Sequence, residues 1–394
     1  MRDGIRIGRL FGISIYLDWS WIFIFLLVIW SLAGGVFPKW HPGWSPSLNW
    51  TVAIVASLLF FVSVLLHELA HSLVAKAQGL PVRRITLFMF GGVSNIEREP
   101  SSPKTEFFMA AAGPITSVAL GVILLLLGGA LAGETGEMMA APVATLSRLT
   151  PLSTVLLWLG PINILVGIFN LIPGFPLDGG RILRSILWAA TNNLRKATRW
   201  ASGVGQVIAW LFIIAGMAMA FGVRVPFFGT GLINGLWLMF IGWFLNGAAS
   251  QSYRQIVIQD LLEDVPVARL MRDEVPTVPP DLPVSSLVYN FIMGTGESAF
   301  PVVAGDRIVG LVSLEDIRKI PRDAWDRTPV SEIMTRVEQL AVVTPQEDAG
   351  EALNQLERRD VRQIPVVQDG HLVGLLRRRD ITRWLQLHSG FATS

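Results

Sequence analysis

The chain has 394 residues, 52% of them hydrophobic and 16% charged, with a formal net charge of +2 and no cysteine. That balance is too apolar for an ordinary soluble protein and gives no basic excess that would call for a nucleic-acid partner. The missing cysteines exclude disulfides, thiolate metal ligands and a cysteine nucleophile.

The hydrophobic excess is uneven. Residues 1–253 carry 16 Lys and Arg against 9 Asp and Glu, net +7, whereas residues 254–394 carry 16 against 21, net −5. The chain therefore divides into a membrane body and a charged soluble body of ordinary domain size. The expected boundaries are 1–248 for the membrane domain, 249–264 for a linker, and 265–324 and 325–394 for two soluble modules.

Taken in chain order, Ile5 to Asp18 alternates apolar and polar residues and predicts a short strand pair on the membrane surface, with Asp18 at the interface. Apolar stretches long enough to span follow at about 19–36, 50–75, 107–132, 152–178, 200–222 and 228–248. If the amino terminus with Arg2, Arg6 and Arg9 is cytoplasmic, only Lys39, Arg148 and Arg224 of the 16 basic residues lie outside. That fits the excess of Lys and Arg found in cytoplasmic loops, and six spans return the carboxyl-terminal body to the cytoplasm. Trp40, Trp44 and Trp50 read as an aromatic belt, and His41 among them as a solvated residue of an outer loop.

The second span holds His67-Glu68-Leu69-Ala70-His71, and from Trp50 to Ala75 no other residue can ionise. On a helix, positions i and i+4 share a face, so both imidazoles can reach one metal ion while Glu68 reaches a water on it. This is the geometry of zinc-dependent hydrolysis, with zinc acidifying the water and the glutamate taking up its proton. In a soluble helix the same five residues often only cap or pair. Here the apolar surroundings argue for function, because Asp, Lys or Arg at membrane depth costs about 2.5–3.5 kcal/mol on insertion scales. With the helix ending near Lys76, the metal lies roughly 14 Å below its cytoplasmic end, so water must reach it through a polar cavity.

Arg83 to Glu97 is too short and too rich in glycine to span, and its Ile, Thr, Phe and Val content predicts strands. Ala110-Ala-Ala-Gly113-Pro114 opens the third span with small residues that permit close helix packing. From Leu149 to Gly180 the single charged residue is Asp178, in Asn170-Leu-Ile-Pro-Gly-Phe-Pro-Leu-Asp178-Gly-Gly180. The prolines and glycines break the helix there. Broken helices at membrane depth line cavities, which suits a carboxylate turned towards a metal, while Arg181 and Arg184 close behind leave a plain surface turn as the alternative.

The H-E-x-x-H helix followed by Asn170-x-x-Pro173-x-x-Pro176-Leu177-Asp178-Gly179 resembles the site-2 protease family of intramembrane zinc metalloproteases. The resemblance implies that Asp178 is the third zinc ligand beside His67 and His71. It also implies that Glu68 is catalytic, and that Asn170 lies at the active site to polarise the scissile carbonyl or hold substrate. In that family the position of the Arg83–Glu97 segment holds a hairpin or re-entrant loop whose edge can pair with an unwound substrate.

Residues 265–394 repeat. Phe300-Pro301-Val302-Val303 and Gly310-Leu-Val-Ser313-Leu-Glu-Asp316 return as Ile364-Pro365-Val366-Val367 and Gly374-Leu-Leu-Arg377-Arg-Arg-Asp380, an offset of 64 residues. The pattern resembles a tandem pair of CBS domains, and such pairs bind adenine nucleotides such as ATP. The resemblance implies ribose contacts from Asp316 and Asp380 and a phosphate contact from Ser313. Arg377 stands where the second hydroxyl belongs. Arg377 to Arg379 either attract phosphate by charge or form an ordinary solvated helix start, and the whole pair can alternatively serve only to dimerise the protein.

The fold class expected is therefore an α-helical membrane domain with six transmembrane helices, followed by an α/β tandem CBS pair. The function expected is zinc-dependent hydrolysis of peptide bonds within or near the transmembrane helix of a membrane-protein substrate, regulated through a cytoplasmic nucleotide-binding pair. The alternative is a CBS-gated metal-ion transporter or channel. Glu68 separates the two, since transport needs ligands only and hydrolysis needs a base.

Overall fold

The structure is a computed structural model and describes residues 4–96, 100–133, 146–226, 228–295 and 297–388, with side chains undescribed at 255, 256, 259 and 260. Arg2 of the amino-terminal basic set and Glu97, the end of the predicted strand segment, lie outside the described residues. The chain forms two compact units, Met1–Arg254 and Gln255–Ser394.

In the first unit, six helices among the described residues are long and apolar enough to cross a membrane. The first comprises α1 (Trp19–Ser31), a π turn and α2 (Phe37–Trp40). The others are α3 (Pro46–Ala77), α4 (Pro103–Ala132), α5 (Pro151–Asn170), α7 (Leu194–Ala220) and α8 (Leu232–Leu262), of which Leu232–Arg254 lies in this unit. Their starts are written locally. Ser45, Ser102 and Thr150 each cap a helix by accepting from a backbone N–H three residues on, and each is followed by proline in the first turn. Proline lacks the N–H that a first turn leaves unpaired, so the Ser/Thr-Pro pair both stops the loop and starts the span. Asp18 caps α1 by accepting from the Ser20 N–H at 2.9 Å, which gives the interfacial acid a structural task.

The span expected over 152–178 is shorter than the sequence suggested: α5 stops at Asn170. Pro173, Gly174 and Pro176 prevent the helix from continuing, and a separate helix α6 (Asp178–Thr191) begins at the predicted ligand itself. The loop between them packs on α7, where the Phe175 N–H donates to the Ala201 carbonyl and Gly174 lies against Gly205. Close backbone approach also joins α4 to α5, since a side chain on Gly121 would meet the Gly160 carbonyl at 2.6 Å.

Both predicted strand pairs form, and they join into one sheet. β1 (Ile5–Leu10), β2 (Ile13–Leu17), β3 (Val82–Phe88) and β4 (Gly91–Ile96) lie in that order, with β2 parallel to β3 and the outer pairs antiparallel. Ile13, Val82, Ile85 and Leu87 bury one face of the sheet against Leu69 and Ala75 of α3 and Met109 of α4. His41 is not solvated as expected. It is 1% exposed, stacked on the Trp44 ring at 3.7 Å, with Nε2 2.8 Å from Thr154 Oγ1. Burial removes its water, and the hydroxyl of α5 replaces it.

In the second unit the 64-residue repeat is visible in the strands. β5 (Ala299–Ala304) with β6 (Arg307–Ser313) matches β8 (Gln363–Gln368) with β9 (His371–Arg377), and both pairs bulge at the equivalent valines, Val302/Val303 and Val366/Val367. The sheet runs β5-β6-β9-β8, with the short β7 (Thr335–Arg336) on β6. Short helices follow β6 and β9: α9 (Leu314–Ile317) and α11 (Arg378–His388), while α10 (Ala349–Arg358) precedes β8. The two cores exchange chain. Leu262 to Leu270 pack with Val343, Leu356 and Ile381, whereas Val330 packs with Val278, Phe300 and Ile317.

Candidate metal centre

Helical spacing on α3 brings the Nε2 atoms of His67 and His71 to 3.1 Å, and Asp178 Oδ2 at the first residue of α6 lies 3.1 Å from each. All three side chains are largely removed from solvent. The opposite ring nitrogens are held by α4: His71 Nδ1 is 2.7 Å from the Met109 carbonyl and His67 Nδ1 is 2.9 Å from Ser117 Oγ. A carbonyl only accepts, so His71 Nδ1 carries the proton and Nε2 presents a lone pair. One nitrogen of each imidazole and one carboxylate oxygen thus face a common point.

That donor set fits a cation. Four-coordinate zinc with bonds of about 2.0–2.1 Å separates its ligands by about 3.3 Å, near the spacing found here, and imidazole and carboxylate are its usual ligands. Among the described residues this is the group of His, Asp and Glu side chains close enough to hold a metal ion. Met109, Gly113 and Ser117, four apart, share the face of α4 that meets the imidazoles. Gly113 is the tightest point, because a Cβ there would lie 2.2 Å from His71 Nε2 and 2.6 Å from His67 Nε2.

Glu68 turns towards β4. Its Oε2 accepts from Ser94 Oγ at 3.0 Å, and Ser94 Oγ in turn accepts from Ser72 Oγ at 3.0 Å. A Cβ on Gly92 would meet Glu68 Cγ at 2.3 Å. The outermost strand of the sheet therefore rests on the carboxylate. Asn170 is half-buried at the end of α5 and has no side-chain hydrogen bond among the described residues.

Several of these neighbours escaped the sequence reading. Ala110 to Pro114 registered only as a packing stretch and Gly91-Gly92 only as an interruption, while Ser94, Ser117 and the Met109 carbonyl carried no signal. Each acts through a partner far away in the chain, and no local spacing reports that.

The predicted nucleotide residues are engaged within the second unit. Asp316 Oδ2 accepts from Ser313 N–H at 3.1 Å and from Ser313 Oγ at 2.6 Å, a reciprocal cap at the start of α9, and Lys319 reaches Oδ1 at 3.0 Å. In the second repeat Arg377 grips Asp380 through Nε at 2.5 Å and Nη2 at 2.9 Å. Arg377 Nη1, Arg272 Nη1 and Arg379 Nη2 all donate to Glu297 Oε1, at 2.8, 3.1 and 2.6 Å. These bonds hold the Arg377 guanidinium above its ordinary pKa, Asp380 contributing most. Arg272, Glu297 and Arg377, with Val275, Pro276 and Ala299, line a cleft of about 10 Å³, room for a single water at most.

Comparison with known proteins agrees with both halves. Residues 55–214 match peptidase family M50, and residues 267–323 and 330–387 each match the CBS domain. Two relatives carry the name "Putative zinc metalloprotease". They are sll0528 of Synechocystis sp., 34% identical over 98% of this chain and 96% of its own, and Rip3 of Mycobacterium tuberculosis, 33% identical over 98% and 94%. A solved site-2 protease from Methanocaldococcus jannaschii is 30% identical, covering 63% of this chain and 94% of that one with a TM-score of 0.43. With six apolar helices among the described residues this is a multi-pass membrane protein, and the chain belongs to peptidase family M50, the site-2 type of zinc metalloproteases, in a form that carries two CBS domains.

Proposed function

We propose that this metalloprotease cuts its substrates inside the membrane, within or near a spanning helix, with His67, His71 and Asp178 holding zinc and Glu68 acting as the base. The observation that carries the reading is the convergence of two imidazole nitrogens and a carboxylate oxygen at 3.1 Å, the carboxylate on a loop-borne helix and the imidazoles on a span, about 9–15 Å from the end of α3. Zinc bound there supplies a Lewis acid and a water acidic enough to lose its proton at neutral pH. Glu68 takes that proton on its carboxylate and hands it to the leaving amine, while Ser94 and Gly92 keep the side chain from swinging away.

A helical substrate keeps its carbonyls hydrogen-bonded, so the segment to be cut must first unwind. The outermost strand β4 offers an edge on which an extended segment can pair beside Glu68, and Asn170 is left to bind the scissile carbonyl. The distribution of basic residues supports an amino terminus and a CBS pair on the cytoplasmic side. The pair binds an adenine nucleotide through Ser313, Asp316 and Asp380, changes access to the metal centre, and dimerises the protein. Membership in a family of zinc metalloproteases leaves the transport reading without support.

The test is co-expression with single-span membrane proteins, comparing wild type with Glu68→Gln. Cleavage should map to the spanning segment, and the variant should lose about 10² to 10⁴ in rate while retaining zinc. Near-normal cleavage by Glu68→Gln removes the base from the mechanism. Replacing helix-weakening residues of the substrate by leucine should slow cleavage, and an unchanged rate removes the unwinding step. Nucleotide binding and self-association are read on the full chain by titration with ATP, ADP and AMP and by sedimentation.

A further inference from the structure

The two imidazoles and the carboxylate belong to different packing groups. His67 and His71 take their orientation from α4, through Ser117 and the Met109 carbonyl. Asp178 belongs to α6, whose first glycines pack on the preceding loop: Gly179 against Leu171 and Ile172, Gly180 against Gly174 and Phe175. That loop is referenced to α7. Coordination tolerates errors of only about 0.2 Å, so something must hold α6 in register with α4.

Glu106 of α4 and Arg184 of α6 make that tie. Glu106 is fully buried and Arg184 is 6% exposed. Arg184 Nε donates to Glu106 Oε1 at 2.7 Å and Nη2 donates to the same oxygen, while Arg181 Nε lies 3.8 Å away. The Arg184 guanidinium also sits 5.2 Å over the ring of Phe175, so the loop before Asp178 is gripped by the same side chain. Glu106 is one helical turn from Met109, whose carbonyl orients His71, and the Met109 sulfur lies 4.0 Å from Arg181 Nη2.

We infer that the buried Glu106–Arg184 pair positions the third metal ligand, locking the helix that carries Asp178 to the helix that orients His67 and His71. The inference rests on the reading of His67, His71 and Asp178 as the zinc site. Stability alone is a poor explanation for such a pair, because two apolar residues of similar volume usually fold as well or better in its place. They do not reproduce two N–H groups of one guanidinium donating to one buried carboxylate oxygen, and placement is what the metal centre requires.

The test uses the full chain in detergent and two variants, the double exchange Glu106→Leu with Arg184→Met, and the single exchange Arg184→Lys. Zinc affinity is measured by competition with a chromophoric chelator, the fold by thermal unfolding of metal-free protein, and turnover by kcat and KM on a cleaved substrate. The double variant should unfold at or above the wild-type temperature, bind zinc at least tenfold more weakly, and lose kcat with little change in KM. Arg184→Lys, which keeps the charge but not the paired N–H donors, should fall between. Wild-type zinc affinity and kcat in the double variant overturn the inference, as does unchanged affinity in Arg184→Lys should the double variant fail to fold. A wild type that takes up no zinc overturns the metal reading itself, and with it the inference.

Discussion

In the first unit three side chains converge with the same polarity, two imidazole nitrogens and a carboxylate oxygen each 3.1 Å from the others. In the second unit three guanidiniums converge too, but on Glu297, a carboxylate of the same chain. The contrast lies in who supplies the opposite charge. A buried carboxylate with two imidazole nitrogens beside it calls for a cation at that point. The arginines, already paired, form a finished network into which an anionic ligand must compete. Metal should therefore be part of the first site, whereas an anionic ligand of the second would have to displace an existing pair.

The sharpest break of that contrast is removal of the imidazoles. Elemental analysis of His67→Ala with His71→Ala should show zinc falling from about one per chain to background, with cleavage abolished, and retained zinc would place the metal elsewhere. Next is Gly113→Ala. Its methyl would enter the space between the two Nε2 atoms, and because both rings are held from behind they cannot retreat cheaply. Overpacking of this kind costs about 1–3 kcal/mol, so zinc affinity should drop by about tenfold or more in a chelator competition.

Ser117→Ala removes only the partner of His67 Nδ1. Partners behind a metal ligand are worth about 10- to 100-fold in affinity, and a neutral hydroxyl belongs at the lower end, so the loss should be near tenfold with the fold intact. The smallest effect is expected in the second unit, where Glu297→Gln removes the carboxylate that Arg272, Arg377 and Arg379 share and leaves Arg377 held by Asp380. Titration of the full chain with ATP should show affinity rising severalfold. Unchanged or weaker binding would mean that the cleft is a structural ion-pair network and that the contrast is one of function as well as of charge.

Much of this molecule is legible along the chain because the determining interactions are local or chemically rare. Six apolar runs, Ser/Thr-Pro starts, two histidines four apart in a span and a 64-residue repeat report themselves by spacing. The physical reason is that a bilayer excludes unpaired charge, so His67, Glu68, His71 and Asp178 stand out against it. Tertiary structure alone decided what surrounds them. Helix packing on α4 brings a carbonyl, a glycine and a serine to the imidazoles, and sheet pairing across the chain lays Ser94 and Gly92 on Glu68. His41 read as solvated because nothing in its neighbourhood announces Thr154, 113 residues away. The CBS cores likewise exchange Leu262–Leu270 and Val330, so the repeat in sequence is not the boundary in space. A residue type discloses which chemistry is possible, but a contact between distant segments depends on how whole elements bury their surfaces, and no single window of sequence contains that free energy.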